Sequence, residues 1–236
     1  MTKPDPASVR RAFSGIAKRY DLANHLLSGG IDFLWRRKLV REVRGSPCRN
    51  VLDLATGSGD VALAIRAALP AADHRVTGLD FCPPMLEQAE RKRDLARIPT
   101  AQLRFLQGDC LELPFEDQTF DVLTIAFGLR NLADRPRAYG EMLRVLRSGG
   151  RLLVLEFSRP RAWLRPLYHL YLRHLLPLLA FCLTKDRQAY EYLGTSISAF
   201  PNHRDLAEEM ITAGFAEVKA DRLTAGIVAL HQGQRT

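Results

Sequence analysis

The stretch that decides the fold is VLDLATGSGD, residues Val51–Asp60. Its apolar first half is typical of a buried strand, and ALAIRAAL, Ala62–Leu69, is typical of a helix. Gly57 and Gly59 lie between them in what we call the glycine loop (residues 55–59), and without β-carbons they let the backbone approach a ligand closely. The N–H groups at the start of the helix would point at the same place and would suit an anionic group. This order predicts a cofactor-binding loop.

A second acid, Asp80, follows the glycine loop at the end of the next apolar segment, RVTGLD (Arg75–Asp80). This is the position expected to hold the hydroxyls of a ribose. The loop and the acid together predict a cofactor that contains a nucleoside. Residues Gly57–Ala62 also satisfy the G-x-G-x-x-(G/A) pattern of dinucleotide binding, so the loop alone leaves a nicotinamide cofactor open.

Two more acids favour a different nucleoside cofactor. Asp53 lies inside the first strand, where it can orient the glycine loop. Asp109, followed by Cys110, comes after the third strand-like run in GDCLELPF (Gly108–Phe115). A phosphate-rich cofactor would gain nothing from so many acids, whereas the sulfonium group of S-adenosylmethionine would be attracted to them. The acids therefore favour S-adenosylmethionine.

From residue 50 onward, strand-like and helical runs alternate, which predicts a parallel sheet covered by helices on both faces. The strand-like runs are Val51–Ala55, Val76–Asp80, Leu103–Gln107, Asp121–Phe127 and Arg151–Phe157. The helical runs are Asp60–Leu69, Met85–Ala96 and Asp134–Leu146. Ser148-Gly149-Gly150 is predicted to end the last helix.

The last part of the chain has a different pattern. Ala216–Leu223 and Ile227–His231 are strand-like, and the tight turn Thr224–Gly226 joins them. Two strands this close in sequence cannot be linked by a crossover, so they should pair antiparallel. The prediction is an α/β fold, Rossmann-like, with a seven-stranded, mostly parallel sheet and an antiparallel C-terminal hairpin. This is the fold of class I S-adenosylmethionine-dependent methyltransferases.

Length and composition predict one folded domain over residues 1–236. The chain is 47% hydrophobic and 25% charged, as expected of a globular protein. We divide it into an N-terminal helical cap (1–49), a cofactor-binding core (50–158), a helical insertion (159–200) and a last helix with the hairpin (201–236). The four cysteines are far apart and form no CxxC pair, which argues against a metal site or disulfides and favours the cytoplasm.

The net charge of +8 is concentrated near the N-terminus. Residues 1–50 contain eleven Lys and Arg against four Asp and Glu. Such a basic surface could meet nucleic acid or anionic lipid, or could be an ordinary solvated helix face. The sequence has no RNA-binding signature, so we expect no nucleic-acid partner.

The insertion, Arg159–Phe200, is rich in aromatic and leucine side chains. Its run LLPLLAFCL, Leu175–Leu183, is too short to span a bilayer. Arg165, His169 and Arg173 are spaced to share one helical face, opposite leucines and tyrosines. Three interpretations stay open: an ordinary core helix, a helix at a membrane surface, or a lid over an apolar substrate.

Several stretches, in order along the chain, make it resemble the UbiE/MenG family of quinone-biosynthesis C-methyltransferases. These stretches are FSGIAKRYDLANHLLSGGIDFLWRR (Phe13–Arg37), VLDLATGSGD (Val51–Asp60), TIAFGLRNLAD (Thr124–Asp134), MLRVLRSGGRLLVLEFSRP (Met142–Pro160), YEYLGTSISAFP (Tyr190–Pro201) and LTAGIVALHQG (Leu223–Gly233). A general methyltransferase resemblance would cover only the loop and the strands, so this one is more specific.

The resemblance implies S-adenosylmethionine as the cofactor and, with the loop analysis above, a set of cofactor-binding residues. These are Asp53, Gly57, Ser58, Gly59, Asp80, Asp109, Cys110 and Ala126. It implies no metal, because the sulfonium already supplies the electrophile.

The implied reaction is attack of an aromatic carbon on the sulfonium methyl group. A quinol carbon becomes nucleophilic when the neighbouring hydroxyl loses its proton. Arg130 is expected to stabilise the developing oxyanion, with Asn131 and Tyr20 orienting the ring. Arginine stays protonated in proteins and is a poor base. Alternatively, Arg130 forms a salt bridge with Asp134 and Tyr20 packs within the cap.

The predicted function is S-adenosylmethionine-dependent C-methylation of a polyprenylated quinol in menaquinone biosynthesis (demethylmenaquinol to menaquinol), in ubiquinone biosynthesis, or in both. The insertion would receive the polyprenyl tail, and the protein would work as a peripheral protein at the inner face of the cytoplasmic membrane. Alternatives are a methyltransferase for another apolar small molecule, a non-catalytic cofactor-binding partner of a biosynthetic complex, and a nicotinamide oxidoreductase. A homodimer is left open.

Overall fold

A seven-stranded sheet forms the centre of the protein. The computed structural model describes residues 25, 28–69, 71, 73–175 and 194–236. The strand order is β3-β2-β1-β4-β5-β7-β6; β1 to β5 run parallel, and β7 is antiparallel to both β5 and β6. The strands are β1 Asn50–Leu54, β2 Arg75–Asp80, β3 Leu103–Gln107, β4 Phe120–Ala126, β5 Leu146–Phe157, β6 Ala216–Leu223 and β7 Val228–Gln234. The predicted fold class is confirmed.

Helices cover both faces of this sheet. They are α1 Asp32–Arg44, α2 Asp60–Ala68, α3 Pro83–Leu95, α4 Arg135–Val145, α5 Arg165–Leu170 and α6 His203–Ala213. Side chains of α1, α2 and α3 form one buried apolar cluster with one face of the sheet, and α4 and α6 form another with the opposite face. The near-continuous apolar strands β1 and β4 are explained by this burial on both sides.

The predicted helix stop at Ser148-Gly149-Gly150 is wrong. Helix α4 ends at Val145 and β5 begins at Leu146, so the two glycines lie within the strand. The pairing of β5 with β4 is irregular at this point, and Gly149 has a φ of +77°, which favours glycine. The two glycines therefore form part of a bulge in the strand.

The predicted ends of the chain's other elements are close to those observed. Ser28-Gly29-Gly30 form a turn before α1, with φ of +62° and +76° at the two glycines. The predicted turn Thr224–Gly226 between β6 and β7 is confirmed, as a single 3-10 turn. The strand after it runs to Gln234, three residues beyond the predicted end.

The insertion begins with α5 and a π-helical turn, Tyr171–Leu175. Arg165, His169 and Arg173 are exposed here and Tyr168 and Leu172 are buried, as the predicted two-sided helix requires, but Leu167 and Leu170 are also exposed, so the prediction is borne out only in part. Within the described ranges, no helix is long and apolar enough to cross a membrane. Most of the apolar run, residues 176–183, lies outside the described residues. The division into cap, core, insertion and C-terminal part stays a prediction.

Candidate active site

A cavity of about 1020 Å³ opens at the carboxyl ends of β1, β2 and β4. Strands β1 and β4 are neighbours, and the helices that follow them, α2 and α4, pack on opposite faces of the sheet. Ligands of open α/β sheets bind at this kind of switch point. The cavity continues past the sheet edge to α1 and α5, so that polar loops and apolar helices line one space.

Asp53 fixes the glycine loop to the sheet. Its side chain, 1% exposed, accepts hydrogen bonds from the Thr56 and Thr124 hydroxyls, each at 2.6 Å. Thr56 belongs to the glycine loop and Thr124 to β4. Burial raises the pKa of the Asp53 carboxyl to about 6, and the two hydroxyls partly oppose this shift. The geometry fits the orienting function expected for Asp53.

Asp80, the last residue of β2, presents a buried carboxylate to the cavity. One oxygen accepts the Gly57 N–H at 2.8 Å and the other accepts the Cys82 N–H at 2.9 Å. Burial raises the pKa of Asp80, against the lowering effect of these backbone donors. A carboxylate can accept about four hydrogen bonds, so each oxygen keeps capacity for a further donor such as a ribose hydroxyl.

The two glycines of the loop have different surroundings. Gly57 lines the cavity with a φ of +57°. Gly59 precedes α2 and is not among the residues lining the cavity. A β-carbon on Gly59 would lie 2.8 Å from both the Ala89 Cβ and the Phe105 Cζ. The predicted close approach to a ligand stays a prediction for Gly57, which lies at the cavity, whereas Gly59 is needed for packing against α3 and β3.

Ser58 is held by an ion-pair network that the sequence analysis missed. The buried Ser58 hydroxyl accepts a hydrogen bond from Lys92 Nζ at 3.1 Å. Lys92 Nζ lies 2.5 Å from one oxygen of Asp60, and Arg36 donates to the other oxygen at 3.2 Å. The network joins α1, α2 and α3 around the glycine loop. Lys92 lies among many charged residues of α3, so no sequence signal distinguishes it.

The remaining predicted cofactor residues also line the cavity. Asp109 is exposed, and its carboxylate accepts the Leu111 N–H at 2.9 Å. Cys110 is buried, and burial raises the pKa of its thiol to about 12, so the thiol is neutral near pH 7. Ala126 ends β4 at the cavity wall.

Arg130 is paired with Glu156. Its Nη1 donates to Glu156 Oε1 at 2.9 Å and also to the Phe127 carbonyl oxygen, and its backbone N–H donates to Glu156 Oε2 at 3.2 Å. The alternative of a salt bridge to Asp134 is wrong, because the Asp134 carboxylate instead accepts the Arg137 N–H and caps α4. The strand order explains this result, since β4 and β5 are neighbours.

Glu156 is the main residue that the sequence analysis missed. It is fully buried in β5 and lies only one residue before the end of that strand. A signal existed, because Glu156 is the one acid in the apolar run LLVLEF, residues 152–157. A carboxylate buried in such a strand requires a partner.

Three aromatic side chains, Trp35, Phe127 and Phe157, line the cavity beside Arg130 and are called the aromatic wall. The ring centroids of Phe127 and Phe157 are 5.0 Å apart, and Trp35 lies 6.0 Å from Phe127. Trp35 Nε1 donates to Thr224 Oγ1 at 2.7 Å, which fixes the indole. Phe127 has a φ of +57°, uncommon for a non-glycine residue and frequent at functional sites.

Two other predictions concern residues near the ring position. Asn131 lines the cavity and is half-buried. Tyr20 lies outside the described residues. His174 also lines the cavity, and we assign no catalytic role to it.

In the part of the chain that the structure describes, no group of three or more His, Cys, Asp or Glu could hold a metal ion.

The fold and the site define a class of protein, the class I methyltransferases, with a glycine loop after β1 and buried acids around one cavity. The family model described as the ubiE/COQ5 methyltransferase family matches residues 1–235. The chain belongs to this family, and it is an S-adenosylmethionine-dependent methyltransferase.

Two relatives illustrate the similarity. The demethylmenaquinone methyltransferase of Thermus thermophilus is 46% identical over 224 residues, which cover 94% of this chain and 99% of the relative. The ubiquinone/menaquinone biosynthesis C-methyltransferase UbiE of Dinoroseobacter shibae is 41% identical over 226 residues, covering 95% of this chain and 89% of the relative.

Solved structures share the fold at lower identity. A SAM-dependent methyltransferase from Thermotoga maritima has a TM-score of 0.65 and 19% identity, over 96% of this chain and 99% of that chain. The cyclase SpnF has a TM-score of 0.64 and 19% identity, over 93% of this chain and 76% of that chain. Because a cyclase also has this fold, the fold alone does not decide the reaction.

The described residues fit S-adenosylmethionine. The Asp80 carboxylate retains acceptor capacity for the ribose hydroxyls, and the glycine loop leaves space beside it at Gly57. Asp53, Asp80 and Asp109 give this part of the cavity an acidic lining, which suits a sulfonium cation.

Proposed function

We propose that the protein transfers the methyl group of S-adenosylmethionine to a ring carbon of a polyprenylated quinol, in menaquinone biosynthesis, ubiquinone biosynthesis or both. One observation carries the proposal: a single cavity joins the buried Asp80 carboxylate, Arg130 with the aromatic wall, and the leucines of α5. The names of the relatives support the same substrate class.

In this proposal the polar end of the cavity binds the cofactor. Asp80 accepts the ribose hydroxyls, the glycine loop faces the remainder of the nucleoside at Gly57 and Ser58, and Asp109 with Cys110 lies at the adenine. When bound, the cofactor supplies an electrophilic methyl group. Ala126 is the last residue of β4, and it lies beside the position where the acceptor ring would meet this methyl group.

Arg130 assists ionisation of the acceptor hydroxyl. Arginine is a poor base in proteins, so we assign Arg130 to stabilising the oxyanion and not to accepting the proton. Arg130 lines the cavity, and its Nη1 is taken by Glu156 and the Phe127 carbonyl oxygen, so the edge of the guanidinium that faces the cavity is the part that would meet an oxygen of the acceptor. The developing phenolate makes the ring carbon beside it nucleophilic; the new C–C bond would form as the methyl–sulfur bond breaks, S-adenosylhomocysteine would leave, and the hydroxyl proton and the displaced ring proton would pass to water.

The aromatic wall orients the acceptor ring. Flat rings pack well against other aromatic rings, and the hydrogen bond from Trp35 to Thr224 keeps one member of the wall in place. Holding the reacting carbon against the methyl group lowers the entropic cost of the reaction. Asn131, which lines the cavity, and Tyr20 are proposed to assist the orientation of the ring.

The polyprenyl tail leaves the cavity along α5. Leu167 and Leu170 line the cavity while remaining 63% and 57% exposed, so an apolar path runs from the ring position to the protein surface. Tyr168 and Leu172 are buried behind them with Ile197. A tail lying on these leucines would remove their apolar surface from water.

The same surface would contact the membrane that holds the substrate. Trp163 is 70% exposed and lies beside the exposed arginines Arg161 and Arg165, and residues 158–175 contain no acid. Exposed apolar groups combined with basic side chains are typical of proteins that bind anionic bilayers peripherally. We therefore place the protein at the inner face of the cytoplasmic membrane.

A direct test supplies labelled S-adenosylmethionine with short-tailed demethylated naphthoquinol, demethylated benzoquinol and a sterol in separate reactions. We expect label in one or both quinols and none in the sterol. Transfer to the sterol, or intact cofactor binding without transfer to either quinol, would reject the substrate class. Absence of cofactor binding by titration calorimetry would reject the proposal at an earlier step.

A further inference from the structure

The fully buried carboxylate of Glu156 accepts three hydrogen bonds. The donors are Arg130 Nη1 at 2.9 Å, the Arg130 backbone N–H at 3.2 Å and the Phe157 backbone N–H at 2.9 Å. Removing an ion pair from water is costly, and an apolar pair of similar size is often at least as stable. Stability alone is therefore a weak reason for this pair in a strand that is otherwise apolar.

These bonds hold Arg130 at both its backbone and its side chain. Nη1 is further held by the Phe127 carbonyl oxygen, and the guanidinium carbon lies 5.2 Å from the centroid of the Phe157 ring. The contacts fix one side of the guanidinium. Its Nε is buried without a partner, although Arg130 lines the cavity.

We infer that Glu156 is a positioning residue for methyl transfer, which locks Arg130 so that the cavity-facing edge of its guanidinium meets the oxygen of the acceptor. The inference rests on the proposed function. Glu156 does not line the cavity, and it acts through Arg130. Since backbone N–H groups of β5 and of the turn after β4 also hold the carboxylate, its position is set by the sheet and is transmitted to the guanidinium.

Two variants separate position from charge. Glu156→Gln keeps the side-chain length and the Oε1 acceptor for Arg130 Nη1 and Phe157, but it loses the charge and the acceptor for the Arg130 backbone N–H. Glu156→Asp keeps the charge and withdraws the carboxylate by about one carbon–carbon bond, roughly 1.5 Å. If position matters, the Gln variant retains more turnover than the Asp variant. If Glu156 only neutralises Arg130, the Asp variant retains more.

The chain offers a matched control pair in Arg135 and Glu209. Arg135 donates to Glu209 at 2.9 and 2.8 Å, and its guanidinium lies 5.5 Å from the Phe200 ring centroid. This pair joins α4 to α6, and neither residue lines the cavity. Glu209→Gln should therefore leave turnover within about two-fold of wild type, as expected for a partly exposed ion pair.

We expect kcat to fall about 10-fold in Glu156→Gln and about 100-fold in Glu156→Asp, because a misplacement of about 1 Å can cost 10²-fold in rate. The acceptor KM and the cofactor Kd should change by less than about two-fold. Wild-type kcat in both variants, or a higher kcat in the Asp variant, would overturn the inference. Parallel loss of cofactor binding, melting temperature and turnover would also overturn it in favour of a purely structural role.

A second measurement needs no turnover. A short-tailed nitrophenol, whose ionisation is visible by absorbance, is bound to each variant with S-adenosylhomocysteine present. The wild type and Glu156→Gln should lower the pKa of the bound phenol, and Glu156→Asp should lower it less. An Asp variant equal to wild type would contradict the inference. If the wild type ionises the phenol but methylates neither quinol, the proposed substrate fails while the positioning of Arg130 stands.

Discussion

Three carboxylates lie buried near the carboxyl ends of strands, and each has a different kind of partner. Asp53 accepts threonine hydroxyls, Asp80 accepts backbone N–H groups, and Glu156 accepts a guanidinium together with backbone N–H groups. Because these donors belong to the sheet or to loops tied to it, the carboxylates are oriented before any ligand binds. Such preorganisation lowers the cost of binding.

The contribution of Asp80 to cofactor binding can be measured with Asp80→Asn. The amide keeps the shape but loses the charge and places N–H groups against the Gly57 or Cys82 donor. We expect the Kd for S-adenosylmethionine to rise about 10- to 100-fold, since a hydrogen bond to a charged group contributes about 1.5–3 kcal/mol. Asp109→Asn should have a smaller effect because Asp109 is exposed. If titration calorimetry shows that both variants raise the Kd equally, Asp80 does not have the expected importance for cofactor binding.

The raised pKa of Asp53 predicts a specific pH dependence. Its folded value of about 6 exceeds the reference value of 3.8, so the folded state binds the proton more tightly and stability is lost as pH rises through this window. Asp53→Asn removes this titration. Between pH 4 and pH 7 the free energy of unfolding of the variant, measured with urea, should rise by roughly 2–3 kcal/mol relative to that of wild type. A difference that is constant with pH would show that the Asp53 pKa is not raised.

Sequence alone identified Asp53, inside the first strand, and Asp80, at the end of the second, because their positions depend only on local pattern. It did not identify Glu156 as the partner of Arg130. These residues are 26 positions apart in sequence, and only the pairing of β4 with β5 brings them together. Asp134 is nearer in sequence, but its carboxylate is taken by the start of α4.

At the scale of elements, the glycine loop depends on three helices. Arg36 of α1 and Lys92 of α3 converge on Asp60 in the first turn of α2, and Lys92 also reaches the Ser58 hydroxyl. An acid in the first turn is favoured by the helix dipole. The loop therefore receives its shape from residues that are distant in sequence, as well as from its own glycines.

Lys92→Met tests this dependence. Methionine keeps much of the apolar stem but loses the bonds to Ser58 and Asp60. We expect cofactor affinity to fall about 3- to 10-fold, the loss of about 0.5–1.5 kcal/mol typical of one hydrogen bond. Lys38→Met is a matched control, because the Lys38 side chain is about as exposed as that of Lys92. Lys38 Nζ lies 2.7 Å from Glu42 Oε1, and neither residue lines the cavity. If both variants bind the cofactor like wild type, the network does not shape the loop.

Element boundaries were predictable where one local rule acted alone, as at the turn Thr224–Gly226. The boundaries were not predictable where two rules competed. Ser148-Gly149-Gly150 has the composition of a helix stop, yet the pairing of Leu146 with Phe120 begins β5 earlier and uses the glycines as a bulge. Pairing between strands is a tertiary interaction, and the local sequence does not report it.

At the scale of the whole molecule, the strand order creates one crevice and α1 and α5 enlarge it. The exposed apolar residues Trp163, Leu167 and Leu170 lie on or beside α5, next to exposed arginines. The net charge of +8 adds a long-range attraction to anionic surfaces. The quinol is membrane-bound in the proposed function, so this arrangement would bring the cavity mouth to the substrate.

Vesicle sedimentation tests the membrane surface. Binding should be stronger to vesicles with anionic lipid than to zwitterionic ones and should weaken as salt increases. Trp163→Ser combined with Leu170→Ser should lower the partition coefficient about 10-fold or more, because fully burying one large apolar side chain contributes about 1.5–3 kcal/mol. Leu95→Ser, at an 85% exposed position at the end of α3, should have no effect. Equal binding by all variants would exclude this surface.

In the proposed reaction, one cavity brings a methyl donor to a ring carbon that Arg130 activates. The most direct measurement is mass-spectrometric location of a 13C-methyl group after reaction of wild type and Arg130→Lys with labelled S-adenosylmethionine and a short-tailed demethylated quinol. Lysine can still pair with Glu156, so the fold and cofactor binding should survive. We expect label on a ring carbon with wild type and at least a 100-fold lower rate with the variant, because an oriented oxyanion donor is lost. Label on a quinol oxygen, or an undiminished rate in Arg130→Lys, would contradict this proposal.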